Sequence, residues 1–396
     1  MPAIEFRGVD IVFGKDKRRA LELIDRGKTR DEILAETGAV LGAAGINLAV
    51  ERGEICVLMG LSGSGKSTIL RAINGLNQVA RGAVLVEHAG RTIDVAHCSR
   101  AELKLLRTSR IAMVFQQFAL LPWRTVRENV GFGLELRGTP PAERNRVVDE
   151  KLAMVNLSRW ADKYAHELSG GMQQRVGLAR ALAPDADILL MDEPFSALDP
   201  LIRDKLQDEL LSLQKTLRKT IVFVSHDLDE ALKIGNRIAI LEGGRIVQTG
   251  TAEDILLNPA DDYVAEFVKH MNPLNVLRGT SLMTPAVALG REPGAVLLDR
   301  QGRVKVQVDR DDHPIGVTLD GRQGRLVAVN GEARPQASSE VDIVVASVDL
   351  KLREAIELRR ATGNPVVLVD QLGRLAGLCG DEEIYRGLLR RERPAE

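Results

Sequence analysis

Gly60-Leu61-Ser62-Gly63-Ser64-Gly65-Lys66-Ser67-Thr68 is a glycine-rich loop between a short apolar run, Ile55–Met59, and a helical run at residues 68–74. It fits the pattern G-x-x-x-x-G-K-[ST] in a strand–loop–helix setting, which disfavours a plain Gly/Ser turn. Glycines let backbone N–H groups converge on phosphates, and the following helix adds the positive end of its dipole. Lys66 would then reach the β- and γ-phosphates, and the Ser67 hydroxyl would bind Mg²⁺. The residues predicted to hold a nucleoside triphosphate are Gly60, Ser62, Gly63, Ser64, Gly65, Lys66, Ser67 and Thr68.

Three further apolar runs repeat the pattern of a short strand followed at once by polar residues. They occupy residues 111–115, 188–191 and 221–224. Apolar runs that alternate with amphipathic stretches indicate an α/β fold, in which helices cover a parallel sheet. Ligands of such sheets bind at the carboxyl ends of the strands. The polar residues after these runs are therefore expected to surround one site.

Two acidic residues end the run at 188–191. Asp192 is predicted to hold Mg²⁺, largely through the waters of the ion, and Glu193 to accept a proton from an attacking water. Two acids after a strand are by themselves more often a solvated turn. The glycine-rich loop elsewhere on the same sheet favours the functional interpretation.

The remaining motifs follow in an order that resembles the ABC transporter ATPases. Leu168-Ser169-Gly170-Gly171-Met172-Gln173-Gln174-Arg175 resembles the signature sequence of that family. Ser169, Gly170 and Gly171 open a helix, so their N–H groups can receive phosphate. In the family they do so across a dimer, on ATP held by the glycine loop of the partner. The resemblance therefore implies that a second copy of the chain completes the site.

Four other positions match the family's motifs. Gln116 matches the Q-loop glutamine, which approaches Mg²⁺ and the attacking water, with Gln117 as the alternative. His226 matches the switch histidine, which contacts the γ-phosphate. Asp199 ends Ser196-Ala197-Leu198-Asp199, which matches the D-loop along the dimer seam. Phe13 matches the aromatic residue that stacks on adenine, with an ordinary core role as the alternative. The other histidines are interpreted as surface or capping residues: His88, His97, His166, His270 and His313.

The resemblance covers Ile4 to about Met271 and implies what the chain does. We expect an ABC-type P-loop ATPase domain at residues 1–272, a mostly parallel sheet with a helical subdomain. Such a protein binds and hydrolyses ATP with Mg²⁺ and works with transmembrane permease subunits. It lies peripherally on the cytoplasmic face of the membrane.

A narrower resemblance is to the ATP-binding subunits of choline, glycine betaine and proline importers. Its residues are a helical insertion at 19–38, the stretch at 113–122 and the stretch at 270–274. Similar proteins often have His where Trp123 stands, in the region that couples to the permease. The resemblance implies import of a quaternary amine such as choline or glycine betaine, with a substrate-binding protein as an indirect partner. The chemistry of an ATPase that never touches this substrate does not identify it.

The tail, residues 273–396, is predicted to be a smaller α+β domain. Residues 350–389 resemble one CBS repeat, with a helix at 350–361, a strand at 365–370 and a turn into another strand at 373–377. Relatives use a tandem pair of such repeats for regulation, but residues 283–330 match the repeat only faintly. A regulatory domain and a packing domain without a ligand are both open.

Composition bounds the possible partners. Lys and Arg number 54 against 55 Asp and Glu, and 3% of residues are aromatic, so we expect no nucleic-acid partner. The three distant cysteines suggest no disulfide framework. No apolar stretch approaches the roughly 20 residues of a transmembrane helix. The alternatives are an ABC ATPase that acts on ribosomes or DNA, and a regulatory protein that binds ATP without turnover. The presence of Glu193 and His226 disfavours the second.

Overall fold

The computed structural model describes residues 1–116, 119–196, 198–269, 271–299, 301–329 and 342–389, with the backbone alone at Leu213 and Leu217. Gln117, Ala197 of the predicted D-loop and His270 lie outside the described residues. The chain divides into two compact units, Met1–Ala252 and Glu253–Glu396. The predicted boundary between residues 272 and 273 falls inside the second unit and stays a prediction.

The first unit contains two sheets. Among its described residues the strands are β1 (Ile4–Phe13), β2 (Val40–Val50), β3 (Ile55–Met59), β4 (Arg81–His88), β5 (Arg91–Asp94), β6 (Ile111–Val114), β7 (Ile188–Asp192), β8 (Thr220–Val224), β9 (Arg237–Glu242) and β10 (Arg245–Gly250). The order is β10-β9-β3-β8-β7-β6 in the larger sheet and β2-β1-β4-β5 in the smaller. Strands β9, β3, β8, β7 and β6 are parallel, and β10 is antiparallel to β9.

Burial on both faces explains the sequences of the central strands. Every residue of β3, β7 and β8 is buried, because helices cover both faces of a parallel sheet. The helices of this unit are α1 (Lys17–Asp25), α2 (Arg30–Thr37), α3 (Lys66–Ile73), α4 (Arg100–Leu105), α5 (Val126–Leu136), α6 (Pro141–Met154), α7 (Gly170–Leu182), α8 (Pro200–Leu217) and α9 (Leu228–Ile234). Helices α5, α6 and α7 pack on one another and form the predicted helical subdomain.

The predicted insertion at 19–38 is a pair of helices, α1 and α2. Thr29 accepts from the Glu32 N–H while the Glu32 carboxylate accepts from the Thr29 N–H, so these two residues form a capping box at the start of α2. Hydrogen bonds from Lys28 and then from Thr29 lower the pKa of Glu32 to about 2. Gly27 adopts a φ of 73° directly after the first helix, as expected for a glycine that ends a helix.

The second unit forms one mixed sheet in the order β11-β19-β18-β17-β16-β15-β14-β13-β12. Its described strands are β11 (Thr284–Pro285), β12 (Arg291–Glu292), β13 (Ala295–Leu297), β14 (Val304–Val308), β15 (Pro314–Leu319), β16 (Arg322–Ala328), β17 (Asp342–Ser347), β18 (Val366–Val369) and β19 (Leu375–Cys379). The remaining helices are α10 (Ala252–Leu257), α11 (Asp262–Val268), α12 (Pro273–Val276), α13 (Gly279–Leu282), α14 (Leu352–Thr362) and α15 (Asp381–Leu389).

The two halves of the tail differ in architecture. Elements α14, β18 and β19 confirm the predicted helix, strand and second strand at 350–389. The described residues of 283–329 instead form antiparallel strands, with no α-helix among them. A tandem pair of β-α-β units is therefore not formed by the described residues, and the CBS interpretation stays a prediction.

No helix in the described part of the chain is long and apolar enough to cross a membrane. The cysteines Cys56, Cys98 and Cys379 are free thiols, and Cys56 is buried in β3. Burial raises the pKa of the Cys56 thiol to about 12.

Candidate nucleotide site

The loop between β3 and α3 has the shape that its glycines allow. Gly60 and Gly65 adopt φ values of 143° and 102°, which L residues rarely adopt. A Cβ on Gly60 would lie 2.2 Å from the Leu241 carbonyl oxygen, and one on Gly65 would lie 2.5 Å from that of Gly42. Backbone crowding therefore requires glycine at both positions.

Lys66 is buried at the start of α3 and lies over the loop. Its Nζ donates hydrogen bonds to the carbonyl oxygens of Gly60, at 2.8 Å, and Leu61, at 3.0 Å. Burial lowers the pKa of the Lys66 ammonium, while the carboxylates of Glu193 and Asp192 oppose that shift. Among the described residues these two neutral carbonyl groups are the hydrogen-bond partners of the ammonium, which can exchange them for phosphate oxygens, the stronger acceptors.

The Ser64 hydroxyl is an orphaned polar group in the same loop. Its Oγ is buried and has no hydrogen-bond partner among the described residues. Buried polar atoms normally have partners, so an unpaired donor here fits a site that receives acceptor oxygens from a ligand.

Asp192 ends β7 and is fully buried. One carboxylate oxygen accepts from the Ser67 hydroxyl at 2.7 Å, and the other accepts from the Arg71 guanidinium at 2.8 and 3.2 Å. The two residues predicted to bind Mg²⁺ are thus in direct contact. Hydroxyl and carboxylate oxygens are the ligands that this ion prefers, so the residues fit it.

Arg71 was missed by the sequence reasoning. It neutralises the buried charge of Asp192, which would otherwise be costly to keep in the sheet. A signal for it existed, because residues four apart lie on the same face of a helix, and Arg71 follows Ser67 by four in α3.

Two predicted catalytic residues, Gln116 and His226, contact the carboxylate of the third, Glu193. Gln116 Nε2 donates to Glu193 Oε2 at 3.0 Å, and the Nδ1 atom of His226 lies 3.3 Å from the same oxygen. They follow β6, β7 and β8, which are neighbours in the sheet. Glu193 adopts a φ of 46°, in the left-handed region that is strained for a residue with a side chain. This turn holds its carboxylate at the edge where the strands end.

The signature residues lie at the exposed start of α7. Ser169 is the N-cap residue, and its side chain makes no capping hydrogen bond. A Cβ on Gly170 would meet nothing within 4 Å, whereas one on Gly171 would lie 3.2 Å from Leu198 Cδ2. Ser169 and Gly170 are exposed, and Gly171 is partly buried. Asp199 uses its carboxylate to cap α8, accepting from the Ile202 N–H at 3.1 Å.

Phe13 lies beside α3, the helix that follows the glycine-rich loop, although the insertion separates Phe13 from that loop in the sequence. A Cβ on Gly42 would lie 2.7 Å from Phe13 Cε2 and 2.9 Å from Thr68 Cγ2, so both side chains flank this glycine. Phe13 is also exposed. An exposed ring near the loop is not the ordinary core residue that the alternative described.

The site combines a lysine over a glycine-rich loop, a serine bound to a buried aspartate, and a glutamate in contact with a glutamine and a histidine. This combination on one parallel sheet defines a P-loop nucleotide hydrolase of the ATP-binding-cassette class. The family described as ABC transporter matches residues 43–196. A solved dimeric structure of the ATP-binding cassette MJ0796, in a post-hydrolysis state bound to ADP and Pi, is 31% identical with a TM-score of 0.54. The match covers 63% of this chain and 98% of the MJ0796 chain.

Two curated relatives resemble nearly the whole chain. The glycine betaine/proline betaine transport system ATP-binding protein ProV of Salmonella typhimurium is 41% identical over 97% of this chain and 97% of its own length. The glycine betaine transport ATP-binding protein OpuAA of Bacillus subtilis is 40% identical over 98% of this chain and 91% of its own. The chain belongs to this family of ABC transporter ATP-binding subunits, and it is an ATPase.

Proposed function

We propose that this chain powers the import of a quaternary amine such as glycine betaine or choline. The observation that carries the proposal is the similarity to glycine betaine transport subunits over both units, including the tail. If the similarity came only from the ATPase domain that all ABC ATPases share, it would cover the first unit only. The extent of the match therefore favours this transport class over ATPases that act on ribosomes or DNA.

Uptake measurements test the proposal. Cells that lack this chain should lose the uptake of labelled glycine betaine, choline or proline. The wild-type chain should restore it, and a chain with Glu193→Gln should not. Normal uptake of all three compounds in the deletion strain would contradict the proposed substrate class but would leave the ATPase assignment intact.

In the proposed mechanism, water attacks the γ-phosphate of ATP. Lys66 and the loop N–H groups hold the phosphates, and the Glu193 carboxylate takes the proton of the water. Gln116 and His226 orient that carboxylate and the water. Ser67 and Asp192 would hold Mg²⁺, with Gln116 close by, and the ion would neutralise charge on the β- and γ-phosphates. Positioning and electrostatics dominate phosphoryl transfer, so these residues need not form a covalent bond.

We also propose that two copies bind ATP between them. The N–H groups of Ser169, Gly170 and Gly171 at the start of α7 would receive the γ-phosphate of ATP bound to the partner, and Asp199 would lie along the seam. The dimeric form of the related cassette supports this arrangement. Phe13, exposed beside Thr68, would stack on adenine.

The permease subunits would bind at the helical subdomain, on the cytoplasmic side of the membrane, and the substrate-binding protein would act through them. A groove of about 550 Å³ lies along α5 and α6, and Trp123 lines it with 71% of its surface exposed. Exposed tryptophan beside a groove is typical of a protein interface. In the sequence, the residues that line the groove come shortly after Gln116. Because Gln116 contacts the Glu193 carboxylate, docking at the groove would be linked to catalysis.

Replacing Trp123 with alanine is expected to uncouple transport from hydrolysis. Loss of an anchoring tryptophan commonly costs about 2 kcal/mol or more, or roughly 30-fold in affinity. Uptake should fall at least about fivefold, while the ATPase activity of the purified chain stays within about twofold. Leu136→Ala is the matched control, because Leu136 is 59% exposed on α5 and does not line the groove. Equal uptake by the two variants would contradict this docking site.

A further inference from the structure

The inserted hairpin touches the phosphate loop through one side chain. Arg30, the first residue of α2, donates a hydrogen bond from its guanidinium to the backbone carbonyl of Gly63. A Cβ on Gly63 would lie 3.6 Å from the same guanidinium nitrogen. The insertion therefore places a permanent positive charge against the outer side of the loop.

Helix stability does not explain an arginine at this position. The first turn of a helix favours acidic side chains, and a cation there is disfavoured by about 0.3–1 kcal/mol. Asp31 and Glu32, the next two residues, follow that preference. Arg30 departs from this preference, and its side chain is half-buried against another segment. The contact with Gly63 therefore explains an arginine at this position better than helix stability does.

The hairpin is held firmly enough to position that side chain. Buried apolar residues of α1 and α2 pack with residues of β1 and β2 in one cluster. Arg81 bridges the hairpin and the sheet, with contacts of 2.7 Å to Asp25 and 2.5 Å to the buried Asp10. The hydrogen bond from Arg81 is the main reason that the pKa of Asp25 lies below its usual value.

The Gly63 carbonyl belongs to a peptide that shapes the loop. The Ser64 N–H on the other side of that planar unit donates to the Leu61 carbonyl at 3.1 Å and closes the turn. A guanidinium bound to the carbonyl oxygen fixes the plane of the peptide and hence the direction of the Ser64 N–H. It also strengthens the positive potential where the triphosphate binds.

We propose that Arg30 is a positioning residue for ATP, so that the insertion is part of the nucleotide site. Arg30 holds the loop in shape, and its positive charge raises the affinity of the site for the triphosphate. The proposal concerns the ATPase reaction alone and does not depend on which compound is transported.

The test compares steady-state kinetics and binding of a fluorescent ATP analogue in the full-length chain. Arg30→Ala should raise KM and the Kd for the analogue about tenfold, the size expected for a hydrogen bond to a charged group. The value of kcat should stay within about twofold. Arg30→Lys should recover part of the affinity, because it keeps the charge and loses the planar fork.

Arg18→Ala is the matched control. Arg18 is on the same hairpin, its side chain is 94% exposed, and it pairs only loosely with Glu22, at 3.8 Å. The Arg18→Ala substitution removes the same charge from the same insertion but does not affect a contact with the loop. The KM of this variant should therefore match that of the wild type.

Two results would overturn the proposal: an unchanged KM in Arg30→Ala, with or without a fall in melting temperature and kcat, or an equal rise in KM in both variants. If Arg30→Ala does not fold, Arg30→Gln tests the same expectation with a longer side chain retained. Lys66→Ala is the reference. Retained affinity in that variant would mean that the loop assignment, and not only the role of Arg30, is wrong.

Discussion

Glu193→Gln is expected to bind ATP normally and to lower kcat by about 10²–10⁴-fold, the usual contribution of a general base. The amide keeps the size of the side chain and can still contact Gln116 and His226, which lie 3.0 and 3.3 Å from the carboxylate. It cannot accept a proton from water. ATP should therefore remain unhydrolysed, and a stable dimer should accumulate with ATP and Mg²⁺, visible by size-exclusion chromatography.

Glu242→Gln is the control for this substitution. Glu242 also ends a strand of the large sheet, β9, and is exposed. The same isosteric change there should leave kcat unaltered. A normal turnover rate in Glu193→Gln would show that another group accepts the proton, and the contacts of Gln116 and His226 with Glu193 would then need a different explanation.

Lys66→Ala should abolish most of the affinity for ATP. The side chain can offer at least two charge-assisted hydrogen bonds, each contributing about 1.5–3 kcal/mol. Loss of one such bond alone corresponds to about a 10- to 150-fold weaker Kd. The turnover of any ATP that still binds should also fall, because Lys66 neutralises charge that develops on the phosphates. Isothermal titration with ATP and a phosphate-release assay measure the two effects.

An exposed lysine provides the comparison for this variant. Lys104→Ala removes the same charge from α4, where the side chain faces solvent, and should bind ATP as the wild type does. If Lys66→Ala kept full affinity, the phosphates would not bind over this loop. The buried position of Lys66, whose ammonium donates to two backbone carbonyl groups, would then be unexplained.

Much of the candidate site could be predicted because parallel strands place their carboxyl ends at one edge. Gln116, Glu193 and His226 are far apart in the sequence, yet each follows an apolar run that had to be a buried strand. The sheet order makes β6, β7 and β8 neighbours, and the three side chains meet. The phosphate loop was predictable for a local reason, since its glycines follow one strand and open one helix.

Other features depended on contacts that a motif does not contain. Arg30 reaches Gly63 only because the insertion folds back on the sheet. Phe13 flanks Gly42 together with Thr68 because β1 pairs with β2 and places Phe13 opposite Val40. In the tail, the helix and strands at 350–389 were predictable from their periodicity. The antiparallel arrangement at 283–329 depended on strand pairing, which short and only partly buried strands specify weakly.

The sequence by itself determined the class of this protein, because the chemistry of phosphate binding demands particular residues at fixed local spacing. Glycine is needed where a side chain would strike backbone, and a lysine and a serine are needed at the start of the helix. The tertiary structure decided which arginines contact this site. Arg71 neutralises the buried Asp192, and Arg30 crosses from an insertion to the loop. Electrostatic contacts act through space over a few ångströms, so the fold determines them and local sequence spacing does not.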